Sequence, residues 1–299
     1  MKHIVSVSLG ASSRDHSVTV DLLGEQVLIE RIGTDGNRRR AMQEIVRLDG
    51  EVDAFGMGGI DRYIRVGNKR YTFREAEKIA TCARITPIFD GSGLKNSLER
   101  HVVRQLADHP LLSLRGKKVL LVSGVDRFGM AAELVAVGCE VTFGDLMFGL
   151  GLPVRIRSLA GLARVARVIA PLITRLPIRF LYPTGDKQAE IVERYAEEYR
   201  AADVIAGDFH FIRRHLPAEL QGQTVLTNTV TAADLDLLRT RGAGALVTTT
   251  PGLSGRSFGT NVMEALLVAL AGQRTELSAE AYLRGLADLR FEPRIEFFN

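Results

Sequence analysis

The sequence predicts an α/β protein: a smaller N-terminal α+β domain over residues 1–112, then a doubly wound, mostly parallel, Rossmann-like sheet over residues 113–299. Three observations predict it. From Lys117 onward, uniformly apolar runs alternate with helical segments, and such strands joined by helical crossovers imply a parallel sheet covered on both faces. Before that point, apolar and polar residues alternate around turn residues such as Gly67-Asn68, the pattern of half-exposed strands and hairpins. The chain has 299 residues, 46% of them hydrophobic, which is enough to bury a large core without covalent staples.

In the first part, Ile4–Ser8, Ser17–Leu22 and Gln26–Arg31 read as strands, and Ser8–Ser13 as a plain hairpin turn. Asn37–Leu48 reads as a helix, and Val52–Gly56 as a short buried strand. Tyr63–Val66 and Lys69–Phe73 flank the Gly67-Asn68 turn. Helices follow over Phe73–Arg84 and Gly93–Ala107, with a strand end at Ile88–Asp90 between them. In the second part, Lys118–Ser123, Glu140–Gly144, Arg179–Tyr182, Asp203–Gly207, Thr224–Thr227 and Ala245–Thr249 read as strands. Helices over Arg127–Val137, Lys187–Arg200, Ala232–Arg241 and Asn261–Ala271 fall among them.

Composition excludes several function classes. Two cysteines, Cys82 and Cys139, make neither a disulfide framework nor a metal cluster. His210 and His215 lack a third ligand at recognisable spacing, so no metal site is expected. A net charge of +4 with no Trp does not mark a nucleic-acid partner. The chain opens on an alternating strand rather than a leader's apolar segment. No run of about 18 uncharged apolar residues follows, so a cytoplasmic protein without a spanning helix is expected.

The strongest motif is Ser123-Gly124-Val125-Asp126-Arg127-Phe128-Gly129. It leaves a buried strand and enters a helix, where backbone N–H groups can approach a phosphate. Asp145 closes the next strand, placed to accept bonds from a ribose diol. Asp126 stands where the dinucleotide fingerprint has its middle glycine. The turn therefore reads either as a nucleotide site built on Gly124, Asp126, Arg127, Phe128 and Gly129, or as an ordinary β–α turn.

Other strand ends are polar: Asp208-Phe209-His210, Thr227-Asn228-Thr229 and Thr248-Thr249-Thr250. His210 suits proton exchange near neutral pH, and Asp208 lies two residues before it. The Gly/Ser-rich loop Gly252–Asn261 carries Arg256, suited to an anion. In the first part, Asp90-Gly91-Ser92-Gly93-Leu94-Lys95 opens a helix. Lys95 and Asp90 there read as an acid/base pair or as a capping residue and a solvated ammonium.

Residues 146–185 contain no acidic side chain but include Arg155, Arg157, Arg164, Arg167, Arg175 and Arg179. Apolar residues between them keep helical spacing. The segment from 155 to 180 reads as a helix with a solvated face, a lid, an oligomer interface or a membrane-surface element.

Taken together, Val122–Ala131, Ala206–His210, Gly255–Glu264, Asp90–Asn96 and Leu181–Gly185 resemble a bacterial family labelled quinate 5-dehydrogenase, nearly end to end. The resemblance implies an NAD(P)-dependent oxidoreductase acting on a cyclic polyol acid. Shikimate and quinate dehydrogenases also place a substrate domain before a Rossmann domain, although their Asn-Val-Thr-x-Pro-x-Lys signature is absent here. The leading expectation is therefore an NAD-dependent dehydrogenase for a small polyol or hydroxy acid bound between the domains. Lys95, Asp90, His210 or Asp208 would move the proton, and Asn228 and Thr248 would border the nicotinamide. Asp145 favours NAD over NADP, because it would repel a 2′-phosphate. The alternatives are a non-redox enzyme for a phosphorylated or acyl anion, and a non-catalytic nucleotide sensor or assembly module, each compatible with a homo-oligomer.

Overall fold

β1 (Lys2–Ser8) lies inside the first sheet, because Ile4, Val5 and Val7 are all buried. The structure is a computed structural model and describes residues 1–177, 191–250, 252–253, 256–257 and 259–298. β2 (His16–Leu22) and β3 (Glu25–Gly33) form a hairpin about Leu23-Gly24. There follow α1 (Arg38–Leu48), β4 (Ala54–Gly58), the hairpin of β5 (Tyr63–Val66) and β6 (Lys69–Thr72), and α2 (Arg74–Ala80). β7 (Ile88–Phe89) and α3 (Ser92–Ala107) complete the first half. The sheet order is β2-β3-β1-β4-β7. β3, β1, β4 and β7 are parallel, and only β2 is antiparallel.

The expected hairpin at Ser8–Ser13 does not form. β1 pairs with β3, while β2 takes the edge. Burial explains the exchange. β2 alternates half-buried and exposed residues, which an edge tolerates, whereas β3 buries Val27 and Ile29 and requires an inner position.

The second half contains β8 (Lys118–Leu121), α4 (Phe128–Ala136), β9 (Glu140–Phe143), a π-helical turn at Asp145–Gly149 and α5 (Leu159–Ile173). Then come α6 (Ala196–Ala201), β10 (Val204–Ala206), α7 (Phe209–Arg214), β11 (Thr224–Thr227), α8 (Ala232–Thr240) and β12 (Ala245–Thr248). A short antiparallel pair, β13 (Gly252–Leu253) and β14 (Arg256–Ser257), leads to α9 (Thr260–Leu270), α10 (Ala279–Asp288) and β15 (Arg294–Phe297). The order is β15-β12-β11-β10-β8-β9, parallel except for β15. The expected mixed α/β class is the one observed. The predicted strand at Arg179–Tyr182 and the start of the predicted helix at Lys187 lie outside the described residues.

Alternation along β8 divides the core. Val119 and Leu121 face one apolar cluster, shared with β1, β4, α3, α4, α9 and α10. Leu120 and Val122 face the other, with Tyr199, Phe209, Ile212 and Leu238. The shared cluster ties the halves together, because α9 follows the second sheet in sequence but packs on β4 and β1 of the first. Glycine permits that approach: a Cβ on Gly56 would meet the Asn261 side chain at 2.9 Å, and one on Gly58 at 3.3 Å. Among the described residues, no helix is long and apolar enough to cross a membrane.

The register sets the strand ends level. Ser8 of β1 lies beside Gly33 of β3 and Gly58 of β4. Leu121 lies beside Phe143 and Ala206, and Ala206 beside Leu226. The loops after the parallel strands of each sheet therefore share one edge, where ligands of open α/β sheets bind.

Candidate functional site

The carboxyl edges of the two sheets meet across a cleft of about 450 Å³. The first half contributes Leu9 and Gly10 after β1, Gly36 and Arg38 before and in α1, and Gly58 to Asp61 after β4. Asp90 follows β7. The second half contributes Asp208 and His210 after β10, Asn228 and Thr229 after β11, and Gly259 to Asn261 at the start of α9. Asn37 caps α1 by accepting a bond from the Arg40 N–H at 3.1 Å, which fixes the helix start on the cleft rim. Arg38 pairs with Glu75.

Behind the cleft wall lies a charged cluster. Lys95, on the first turn of α3, donates to Asp126 Oδ1 at 3.0 Å and to Asp61 Oδ2 at 3.3 Å. Burial disfavours the Lys95 charge, but the Asp126 and Asp61 carboxylates outweigh it and hold the ammonium above the usual lysine range. Asp61 also hydrogen-bonds Asp126. Burial, with Asp126 and Asp90 nearby and Lys95 opposing, pushes Asp61 up to about 7. Asp126 goes the other way. Burial is outweighed by Lys95 and Arg127, so its carboxyl titrates below the usual range. One carboxylate is thus locked in its charged form, and its neighbour exchanges a proton near neutrality.

A second buried ion network joins the halves. Arg127 is 3% exposed and pairs with Glu99 of α3. It also donates to Asp208 Oδ2 at 3.0 Å. Burial opposes the Arg127 charge, and Glu99, Asp208 and Asp126 restore it. Asn228 Nδ2 donates to the same Asp208 oxygen at 3.0 Å, and the His210 N–H bonds Asp208 Oδ1 at 2.9 Å. Asp208 therefore caps α7 while its carboxylate is held below the usual range, burial being outweighed by Arg127 and His210.

The residues expected to carry chemistry have separated. Asp90, Asp208, His210 and Asn228 line the cleft. Lys95 is one contact behind it and pairs with Asp61 and Asp126 rather than with Asp90. The Asp90 oxygens accept from the Arg62 N–H at 2.5 Å, the Ser92 N–H at 3.2 Å and the Ser92 hydroxyl at 2.5 Å. Its role is to hold the β7–α3 corner, and burial raises its pKa against those bonds. Thr248 is fully buried and donates to the Thr250 carbonyl at 2.9 Å, away from the cleft. Arg256 lies in β14, and its side chain is outside the described residues.

The Gly124 turn is closed by the protein itself. Asp145 accepts the Gly124 N–H at 3.0 Å and the Val125 N–H at 2.7 Å. Those are donors that a pyrophosphate would need. A Cβ on Gly124 would meet Leu162 and Phe143 at 3.0 Å, and one on Gly129 would meet Asn96 at 2.5 Å. These glycines serve close packing. Phe128 is buried, and Arg127 bridges the crevice between the ends of β8 and β10. The expected ribose contact of Asp145 is corrected accordingly: its carboxylate turns back into its own sheet. Burial raises Asp145 to about 6, with the Val125 and Gly124 N–H groups opposing. As folded, these residues do not fit a dinucleotide pyrophosphate.

A family model described as "Domain of unknown function (DUF8754)" matches residues 93–298. The chain belongs to that family. Residues 3–90 match a second model, "Domain of unknown function (DUF8753)". The charged cluster of this DUF8754 member straddles the two matches, with Asp61 in one and Lys95 and Asp126 in the other. No curated protein matches the chain. Among solved structures, the Leu-bound hetero-hexameric glutamate dehydrogenase from Thermus thermophilus is similar at 15% identity. That likeness covers 97% of this chain and 73% of that one, with a TM-score of 0.44. A malic enzyme from Entamoeba histolytica is similar at 9% identity, over 97% of this chain and 74% of that one, with a TM-score of 0.36. A sugar ABC transport substrate-binding protein from Bordetella parapertussis is similar at 12% identity, over 93% and 83% respectively, with a TM-score of 0.37. The functional reading rests on the cleft itself.

Sequence reasoning reached Asn261 only as the end of the Gly252–Asn261 loop, and did not single out Asp61 or Arg38 as site residues. Asp61 ends the Gly58-Gly59-Ile60-Asp61 turn, and a glycine pair after a buried strand was the available signal. The proximity of Asp61 to Lys95, 34 positions away, is a product of tertiary packing.

Proposed function

We propose that the protein is an enzyme that binds a small hydroxylated carboxylic acid in the cleft and uses Asp61 for proton transfer. The observation that carries this reading is the Asp61–Lys95–Asp126 cluster, which sets a cleft-lining carboxyl at about 7. A general acid or base works best with a pKa near the operating pH. Asn228, Thr229, Thr260 and Asn261 offer amide and hydroxyl partners for substrate hydroxyls. Arg214, also lining the cleft, supplies a cation for a carboxylate, while Arg38 on the rim is already paired with Glu75. Lys95 stabilises the ionised form of Asp61 when it gives up its proton.

Thermal-shift titration with a panel of hydroxylated carboxylic acids, quinate included, tests the reading. A stabilising acid is expected, and its effect should vanish in Asn228→Ala. No stabilisation by any member at millimolar concentration would sink it.

A second reading keeps the same substrate and adds a nicotinamide dinucleotide, making the protein an NAD(P)-dependent dehydrogenase. It is supported by the reversal of strand order between β8 and β10, the usual place for such a ligand, and by the resemblance to the family labelled quinate 5-dehydrogenase. Binding there requires Asp145 to leave the Gly124 turn. Calorimetric titration with NAD and NADP decides it, and no heat with either at millimolar concentration removes this reading.

A further inference from the structure

We propose that the outer face of α5, with the stretch that leads into it, docks on an anionic lipid surface. The inner face of α5 is spent on the fold, with Leu162 and Ala166 in the shared core and Ala170 also buried. The outer face is not polar, as solvent would favour. Val168 is 67% exposed and Leu172 61%. They are interleaved with exposed Arg164 and Arg167 on the same turns. In the preceding stretch, Leu150, Leu152 and Val154 are each about half exposed. Solvated aliphatic side chains in such number mark an interaction surface.

Charge selects the occupant. No acidic residue occurs from 146 to 185. Arg155 is neutralised by Glu198, but among the described residues no carboxylate pairs with Arg157, Arg164, Arg167 or Arg175. A second copy joined through this face about a two-fold axis would set arginine against arginine. Nucleic acid would satisfy the arginines but leave the aliphatic side chains in water. An anionic bilayer satisfies both, with headgroups taking the guanidinium groups and the acyl boundary taking Val168 and Leu172. The proposal is independent of the cleft and its substrate.

Flotation of the full chain with vesicles tests it. The protein is expected to float with phosphatidylcholine vesicles containing phosphatidylglycerol and to stay behind with phosphatidylcholine alone. Binding should fall as salt rises. Arg164→Gln with Arg167→Gln should lower partitioning about thirtyfold, since each arginine near such a surface contributes about a factor of five. Val168→Ser with Leu172→Ser should also reduce it without lowering the melting temperature, because both side chains are exposed. Failure to float with anionic vesicles at low salt overturns the proposal. So does equal flotation of the arginine variant. A dimer in sedimentation that Leu172→Ser abolishes would show that a second copy covers this face, and would overturn it as well.

Discussion

Gly124 and Gly59 both sit just past a buried parallel strand and open a turn at the carboxyl edge of a sheet. Around Gly124 the backbone donors go to Asp145, and Leu162 and Phe143 fill the remaining space. Around Gly59 the neighbouring strand ends contribute Gly10 and Gly36, which have no side chains, and the turn runs on to Asp61 in the cleft. The difference lies in what the adjacent strand supplies. β9 ends in a carboxylate that reaches back, while β1 and β3 end in small residues. A glycine turn becomes a ligand site only where the protein has not already satisfied it.

The strongest way to break this contrast is at Arg127, which leaves the closed turn and braces the cleft wall through Asp208. Arg127→Met would strand Glu99 and Asp208 without their cation. Removing one partner of a buried ion pair costs about 3–5 kcal/mol. Urea denaturation should show a loss of that size, partly recovered in the double variant with Glu99→Gln. A loss below about 1 kcal/mol would mean that the pair behaves as a solvated one and that the wall is not braced this way.

Asp61 gives the next largest effect. Asp61→Asn should lower kcat by about a hundredfold on whichever hydroxy acid the cleft accepts, as for loss of a general base. The inflection near pH 7 in kcat/KM should disappear with it. An unchanged pH profile would assign the proton to another group and make Asp61 merely a partner of Lys95.

Much of this architecture was legible in the sequence. The apolar runs of β8, β10, β11 and β12 gave away the second sheet, because strands buried on both faces have no polar alternative. β15 was not read, since Arg294 and Glu296 break its pattern at the sheet edge. The parallel pairing of β1 with β3 was hidden because alternation in β2 points to a hairpin without saying which neighbour takes the inner place. At the site, a spacing of 21 residues placed Asp145 beside Gly124, but spacing carries no information about which way a carboxylate turns. Lys95 was legible as a charged residue at a helix start. Its partners were not, since neither Asp61 nor Asp126 is near it in sequence.

A smaller effect sharpens the closed side of the comparison. Burial lifts Asp145 to about 6, above the value of about 3.9 for an unfolded aspartate. The folded state therefore holds a proton that the unfolded state has lost between those values. Stability should be greatest below about pH 4 as far as Asp145 is concerned, and should decline as pH rises through about 6, by about 3 kcal/mol in all. Urea midpoints measured from pH 4 to 7 on the wild type and on Asp145→Asn check it. The variant should show a shallower decline, and parallel curves would mean that Asp145 titrates normally.

The smallest effect separates the two glycines by cause. Gly59 has φ of 75°, and a Cβ there would lie 3.2 Å from the Gly10 nitrogen and 3.3 Å from Leu9. Gly124 has no such dihedral; its substitution would meet only side chains and the Asp145 oxygen. Gly59→Ala should cost about 1–2 kcal/mol, the left-handed penalty for an L-residue. Asparagine tolerates that conformation better than alanine, so Gly59→Asn should recover part of the loss. At Gly124 the obstacle is space, and Gly124→Asn should be worse than Gly124→Ala. Thermal melts of the four variants read the contrast directly. If Gly59→Asn is no better than Gly59→Ala, the close approach of Leu9 and Gly10 sets the cost, and the Gly59 turn is then as tightly packed as the one it was contrasted with.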